Sequence, residues 1–257
     1  VEEEQVINVE GIDIVLAVDI SGSMAAEDFQ DEGKRVNRLH IVKKVVDEFI
    51  NGRTSDQIGL VGFAGLAYTI CPLTADYDWL RTNLKRVELG IIEDGTAVGA
   101  AIASSLLRLK ESKSKSKIVI LLTDGVSNVN DIDPLEAAKI AHNKGIKIYT
   151  IGAGTKGYVP YPSKDIFGRD TYRKVLIDLD EVTLKKIADI TEARYFRATD
   201  ADSLSKVYKE IDELEKTEIE HEGYYNYTEI FDKFLLTGLL LLLIEITLRN
   251  SIYLKLP

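Results

Sequence analysis

Apolar positions follow two alternating rhythms between residues 12 and 215. Short β-branched runs at 12–19, 58–64, 67–73, 118–122 and 146–151, with a last short one at 194–197, predict strands. The run 118–122 is apolar at every position, the pattern of a strand buried on both faces. Between the runs the period changes to three and four. Leu39, Val42, Val46, Phe49 and Ile50 mark one helix, stopped at Asn51-Gly52. Val98, Ala101, Ile102, Leu106 and Leu109 mark another. Helices are predicted over 76–87, 97–110, 134–143 (opened by Pro134), 181–191 and 202–215.

Strand and helix alternate throughout, which predicts an α/β fold with a doubly wound, mostly parallel six-stranded sheet and helices on both faces. Only Gly65-Leu66 separates the second and third strands. A link that short cannot cross a sheet, so strand 3 runs antiparallel. Right-handed crossovers and a single reversal give the order 3-2-1-4-5-6, with strands 1 and 4 side by side at the switch point. Residues 25–35 read as a polar loop. Residues 152–180 form a long insertion leaving the same rim, with a turn at 167–170 between extended arms 159–164 and 172–179. Its Tyr158, Tyr161, Phe167 and Tyr172 suit either a partner contact or a hairpin packed on its own domain.

The tail changes character. Residues 234–248 are apolar except for Thr237, Gly238, Glu245 and Thr247. As a helix they span about 22 Å, short of a hydrocarbon core of roughly 30 Å. With flanks at 227–231 and 252–254 the expectation is a membrane helix over 231–254, the alternative being a helix docked in a partner's groove. The organisation expected is a lead-in at 1–11, a domain at 12–217, an acidic linker at 218–230 carrying Glu218, Glu220, Glu222 and Glu229, and the membrane helix. Arg249 and Lys255 after the span stand against Lys216 and Lys233 before it, which leans towards a cytoplasmic C-terminus and an extracytoplasmic domain. Asn226-Tyr227-Thr228 matches a glycosylation sequon whose closeness to the span favours chance.

A formal net charge of −10 argues against nucleic acid as partner. The single cysteine, Cys71, excludes an internal disulfide and a Cys-based zinc site. His40, His142 and His221 are scattered, against a His-rich metal site. The sequence starts at Val1 with no signal-peptide pattern, and is expected to be a piece of a longer polypeptide.

Candidate chemistry gathers at the predicted switch point. Strand 1 breaks into Asp19-Ile20-Ser21-Gly22-Ser23, placing a carboxylate and two hydroxyls at alternate positions on a tight turn. Thr96 opens a helix, and Thr123-Asp124-Gly125 ends strand 4. Oxygen donors from three segments suit a hard cation: Mg²⁺, or another divalent ion such as Mn²⁺ or Ca²⁺. Each has a plainer role available: Asp19, Ser21, Ser23 and Asp124 as turn residues, Thr96 as a helix cap. The nearby Glu27, Asp28, Glu93 and Asp94 would help retain a cation and repel an acidic partner.

On these residues the chain resembles the von Willebrand factor A (VWA) family. Its metal-ion-dependent adhesion site (MIDAS) uses Asp-x-Ser-x-Ser, a later Thr and a later Asp, matched here by Asp19, Ser21, Ser23, Thr96 and Asp124. The resemblance covers about residues 12–215 and implies that one coordination position is completed by a partner's Asp or Glu. Residues 14–28, 56–73, 165–172 and the apolar tail also resemble the VWA membrane proteins of the Bacteroides aerotolerance (Bat) operon, of the BatA type. That implies a bacterial inner-membrane protein, an upstream pair of membrane helices outside this sequence, and other Bat proteins and a MoxR-type AAA+ ATPase as partners.

Two enzyme readings compete. Gly152-Ala153-Gly154-Thr155-Lys156-Gly157 has the spacing of a dinucleotide-binding loop, but prolines follow where a helix must open. A metal-dependent hydrolase or phosphatase would use Asp19 and Asp124 as ligands and Glu27 or Asp28 as base. There is no phosphate-binding Gly-x-x-x-x-Gly-Lys-Ser/Thr loop. The expectation is a membrane-anchored, non-enzymatic, Mg²⁺-dependent interaction module, a second alternative being a module whose metal only stabilises the fold.

Overall fold

Strand β1, Asp13–Asp19, is buried along its whole length at the centre of a six-stranded sheet in the computed structural model. The structure describes the backbone of residues 11–129, 132–221 and 231–251, and the side chains of 11–129, 132–215 and 235–248. The acidic lead-in at 1–10, residues 222–230 of the expected linker with the sequon, and the flank at 252–257 lie outside the described residues, whereas 218–221, expected as linker, continue the helix that begins at Ala201. The chain divides into two units, Val1–Glu220 and His221–Pro257.

In the first unit a short 3-10 helix, Gly22–Ala25, follows β1, then strands β2 (Phe29–Asp31) and β3 (Lys34–Val36) and helix α1 (Arg38–Asn51). Next come β4 (Gln57–Phe63), β5 (Ala67–Thr74), α2 (Tyr77–Lys85), α3 (Val98–Leu109), β6 (Lys117–Thr123), α4 (Pro134–Asn143) and β7 (Lys147–Ala153). Strands β8 (Gly157–Lys164) and β9 (Asp170–Ile177), helix α5 (Glu181–Ile190), strand β10 (Tyr195–Ala198) and helix α6 (Ala201–His221) complete it. The sheet order is β10-β7-β6-β1-β4-β5, the predicted order. β1 is parallel to β4 and β6, and only β4–β5 is antiparallel.

Alternation along β1 divides the core. Ile14, Leu16 and Val18 join a layer with Ile41, Val42 and Val45 of α1, Leu80 and Leu84 of α2, and Leu204 and Tyr208 of α6. Val15 and Ala17 face the other way, towards Val98, Ala101 and Ile102 of α3, Ala138 and Ala141 of α4, and Leu184 and Ile187 of α5. Covering both faces explains why β1 and β6 read as unbroken apolar runs. Side-chain caps begin five helices among the described residues: Asn37, Asp76, Asp133, Asp180 and Asp200 each accept a backbone N–H of the first turn.

Two stretches differ from expectation. Residues 25–35 are not a plain loop: Phe29–Asp31 and Lys34–Val36 pair as a hairpin, with Glu32 (φ 50°) and Gly33 (φ 78°) in its two-residue turn. Three residues per strand are too few to show a period of two. The insertion is a regular hairpin, eight residues paired with eight; its first arm begins two residues earlier than the sequence suggests and ends where expected, and its second begins and ends two residues earlier. Its turn is built by Asp165, whose carboxylate accepts the N–H groups of Phe167 and Arg169, with Gly168 at φ 78°.

The second unit holds α7, Phe231–Ser251. Its described side chains, residues 235–248, are all exposed. The segment expected as a membrane helix over 231–254 is thus helical over Phe231–Ser251, but among the described residues no helix is long and apolar enough to cross a membrane.

Candidate functional site

The parallel strands β1, β4, β6 and β7 end on one rim, and the candidate residues meet there. Asp19 is the last residue of β1 and Thr123 the last of β6. Thr123 Oγ1 donates to Asp19 Oδ2 at 2.6 Å, and Asp19 Oδ1 accepts the Ser21 N–H at 2.9 Å. The 3-10 turn that follows is pinned from below by Met24, fully buried in the core. It holds Ser21 Oγ 2.9 Å from Ser23 Oγ, and Ser23 Oγ donates to Asp124 Oδ1 at 2.5 Å.

Thr96 arrives from a third direction. The Ala97 N–H donates to the Ala64 carbonyl at the end of β4, and the Gly65 N–H to the Glu93 carbonyl. Asn128 clamps Thr96 from the other side, accepting its N–H at 2.8 Å and donating to its carbonyl at 3.1 Å. The Thr96 hydroxyl does not cap α3, whose cap position is Ala97 without a side-chain bond. It points at the site: a Cβ placed on Gly125 would stand 3.5 Å from Thr96 Oγ1 and 3.8 Å from Ser23 Oγ. The structure therefore brings all five predicted residues together.

Arg38 was not among them. Its side chain is 0% exposed and forms a two-pronged pair with Asp28, Nε to Oδ1 at 2.8 Å and Nη2 to Oδ2 at 2.6 Å. Nη1 reaches Asp124 Oδ2 at 2.8 Å. Arg38 is the first residue of α1, where a cation opposes the helix dipole, and no acid sits in that first turn. That misplaced charge was the available signal. Thr123 and Asn128 carried none beyond nearness to the candidate residues.

The one guanidinium, Arg38, pairs with Asp28 and Asp124, while the buried Asp19 beside them has hydroxyl and N–H partners and no ion pair among the described residues. Burial, then the neighbouring Asp124 charge, pushes the Asp19 carboxyl up to about 7. Burial also raises Asp124, although Arg38 pulls the other way. At Asp28 burial works upward but the Arg38 pair and Thr155 overcome it, holding the carboxyl below its usual range. The donor set is carboxylate and hydroxyl oxygen throughout, as a hard divalent cation requires. Among the described residues no group of three or more His, Cys, Asp or Glu side chains is arranged to hold a metal. The candidate centre differs from such a group by drawing three of its five donors from hydroxyls.

The other acidic neighbours are engaged. Asp94 Oδ1 accepts the N–H groups of Gly22 and Gly95, bracing the turn. Glu27 Oε2 accepts from the Tyr172 hydroxyl at 2.7 Å. The glycines of the dinucleotide-like motif serve packing: a Cβ on Gly152 would lie 2.6 Å from Leu179 Cδ2, and one on Gly154 2.3 Å from Arg38 Cζ. No helix opens there; β8 does. The β8–β9 hairpin rests on the 3-10 turn and the two residues after it through three further ties. Val159 and Ile177 pack on Ala26, the Glu27 N–H donates to the Pro160 carbonyl, and the Tyr161 hydroxyl donates to the Gly22 carbonyl.

The family model for the von Willebrand factor type A domain matches residues 13–210. An uncharacterized protein of Borreliella burgdorferi is 29% identical over 248 residues, 95% of this chain and 70% of its own length. The chain spans only 62% of a UPF0353 protein of Nocardia farcinica that is 28% identical. Among solved structures, BatB of Bacteroides thetaiotaomicron is 29% identical with a TM-score of 0.69, covering 80% of this chain and 100% of that one. An aerotolerance-related membrane protein of Bacteroides fragilis is 27% identical with a TM-score of 0.64, covering 78% and 98%. Proximal thread matrix protein 1 of the mussel byssus, with a zinc-occupied MIDAS motif, shares the fold at 22% identity and a TM-score of 0.59, over 81% of this chain and 47% of that one.

Proposed function

The chain belongs to the von Willebrand factor type A domain family, and from that premise we propose that it holds a divalent cation on Asp19, Ser21, Ser23, Thr96 and Asp124 and presents it to a carboxylate of a protein partner. Mg²⁺ is the cation favoured, with Mn²⁺ or Ca²⁺ as substitutes. The observation that carries this is the convergence of oxygens from three segments around two buried carboxylates whose charge Arg38 only partly balances. When bound, the cation would supply an electrostatic anchor for an incoming carboxylate. The chain's own residues do the rest. Thr123 and the Ser21 N–H fix the Asp19 carboxylate, Asn128 fixes Thr96, and Asp94 holds the turn that carries the serines. Arg38 already engages one oxygen of Asp124, which leaves the cation part of its pull for an outside ligand.

The likeness to BatB and to the aerotolerance-related protein supports a place in a Bat-type assembly, in stress or aerotolerance, with other Bat proteins and a MoxR-type AAA+ ATPase as partners. The proposed location is the bacterial inner membrane, with the tail helix as anchor. The exposed leucines of α7, Leu239 to Leu243 at 55–62%, support that reading. A non-catalytic role is proposed because both candidate bases are occupied, Asp28 by Arg38 and Glu27 by Tyr172.

A pull-down of the tagged, detergent-solubilised chain in Mg²⁺ and in EDTA tests this, with Asp19→Ala alongside. A partner retained only in Mg²⁺ and lost in a folded Asp19→Ala chain supports metal-bridged recognition. A partner set indifferent to both overturns it and leaves the cation a stabilising role at most.

A further inference from the structure

The β8–β9 hairpin has two edges of different chemistry. β8 carries Pro160 and Pro162, which donate no N–H, and the Pro160 carbonyl already accepts from Glu27. β9 is Asp-Thr-Tyr-Arg-Lys-Val-Leu-Ile, eight residues without a proline and rich in strand formers. Among the described residues β9 pairs with β8 alone, so its second edge presents a row of backbone N–H and C=O groups. Six of its eight residues are exposed, with Tyr172 at 55% and Leu176 at 63%.

The charge on this edge runs against the chain. The whole sequence is at −10, yet Lys164, Arg169, Arg173 and Lys174 stand exposed around the hairpin. Of the nearby acids, Asp165 is folded into the turn, Asp178 is paired with Lys156, Glu27 holds the Tyr172 hydroxyl, and Asp170 stands exposed at the start of β9 against four basic side chains. Arg35 of β3 lies within electrostatic range of the Tyr172 phenol, so the neighbouring hairpin adds to the same basic rim. That rim is continuous with the candidate metal site, because Tyr172 bonds Glu27 and Tyr161 bonds the Gly22 carbonyl.

We infer that the open edge of β9 takes an extended, acidic segment of a protein partner as an added strand, beside the rim that carries Asp19 and Asp124. Main-chain hydrogen bonds would supply affinity and the basic side chains the selection. Two copies of β9 paired antiparallel about its middle would set Arg173 of one chain opposite Lys174 of the other, which disfavours self-pairing. The inference deepens the metal-bridged reading and rests on it for the partner's approach, but its contacts are separate from the metal.

The test uses the detergent-solubilised full chain and two ten-residue peptides, one alternating glutamate with valine and threonine, the other carrying lysine for glutamate. Binding is followed by fluorescence anisotropy, and amide hydrogen exchange is read over residues 170–177. The glutamate peptide is expected to bind at least tenfold more tightly than the lysine peptide, in EDTA as well as in Mg²⁺, and to slow exchange along β9. Arg173→Glu with Lys174→Glu, both at exposed positions, is expected to reverse the preference. If the glutamate peptide binds only in Mg²⁺, is lost in Asp19→Ala and leaves β9 exchange unchanged, the metal reading stands and strand addition falls. If β9 is protected while Mg²⁺ adds nothing in either chain, strand addition stands and the metal reading falls. Failure of the glutamate peptide to bind, or slowing of β9 exchange by protein concentration alone, overturns the inference.

Discussion

Arg38 sets the electrostatics of the rim residue by residue. Its guanidinium is fully buried and joins Asp28 to Asp124. Removing one partner of a buried ion pair strands the others, at a cost of about 3–5 kcal/mol. Arg38→Ala is therefore expected to lose stability on that scale in EDTA, measured by urea unfolding, with part of the loss recovered in Mg²⁺. Arg38→Lys is expected to recover less than a conservative exchange suggests, because an ammonium cannot reproduce the two-pronged pair with Asp28. The five candidate positions were legible in the sequence because their spacing is local in three short motifs. Arg38 was not, because its two partners lie 10 and 86 residues away and only the folded chain joins them.

Short elements show where patterns run out. The β2–β3 hairpin holds Glu32 at φ 50°, a left-handed conformation that a glutamate adopts at a cost and an asparagine tolerates better. Glu32→Asn is expected to stabilise the protein by about 0.5 kcal/mol, read as a raised thermal midpoint. No outcome near zero or below fits a primed turn at 32–33. Longer elements were readable. The helices α1, α3 and α5 were placed by periodicity to within a residue or two, and the strands β1, β6 and β7 by their apolar runs. The arms of the insertion were also found, because turn residues at 167–170 separate two strand-forming stretches; their pairing in full register is a property of the folded hairpin.

For the whole molecule, the strand order followed from link lengths and handedness, and the order in turn brought β1 beside β6. That adjacency turns three distant motifs into one candidate centre. A cation that binds the folded chain and not the unfolded one stabilises it, by about 2.7 kcal/mol at a hundredfold excess over its dissociation constant. Titrating Mg²⁺ into chelator-treated protein is therefore expected to raise the thermal midpoint with concentration, and Asp19→Ala to abolish the rise. A midpoint indifferent to Mg²⁺ in the parent chain would remove the cation from the account. The tail was legible as an apolar helix; of the acidic stretch before it, 218–221 continue α6 and 222–230 lie outside the described residues.

The ties between the insertion and the ligand turn also bear on time. The Tyr161 hydroxyl on the Gly22 carbonyl and the Glu27 N–H on the Pro160 carbonyl make the hairpin and the turn one mechanical piece. A partner gripping both would leave in two steps, and release at one point would be followed by recapture while the other held. Its residence time would grow far faster than either grip alone implies. Salt would shorten one grip and chelator the other, so dissociation would be quick only when both are applied together.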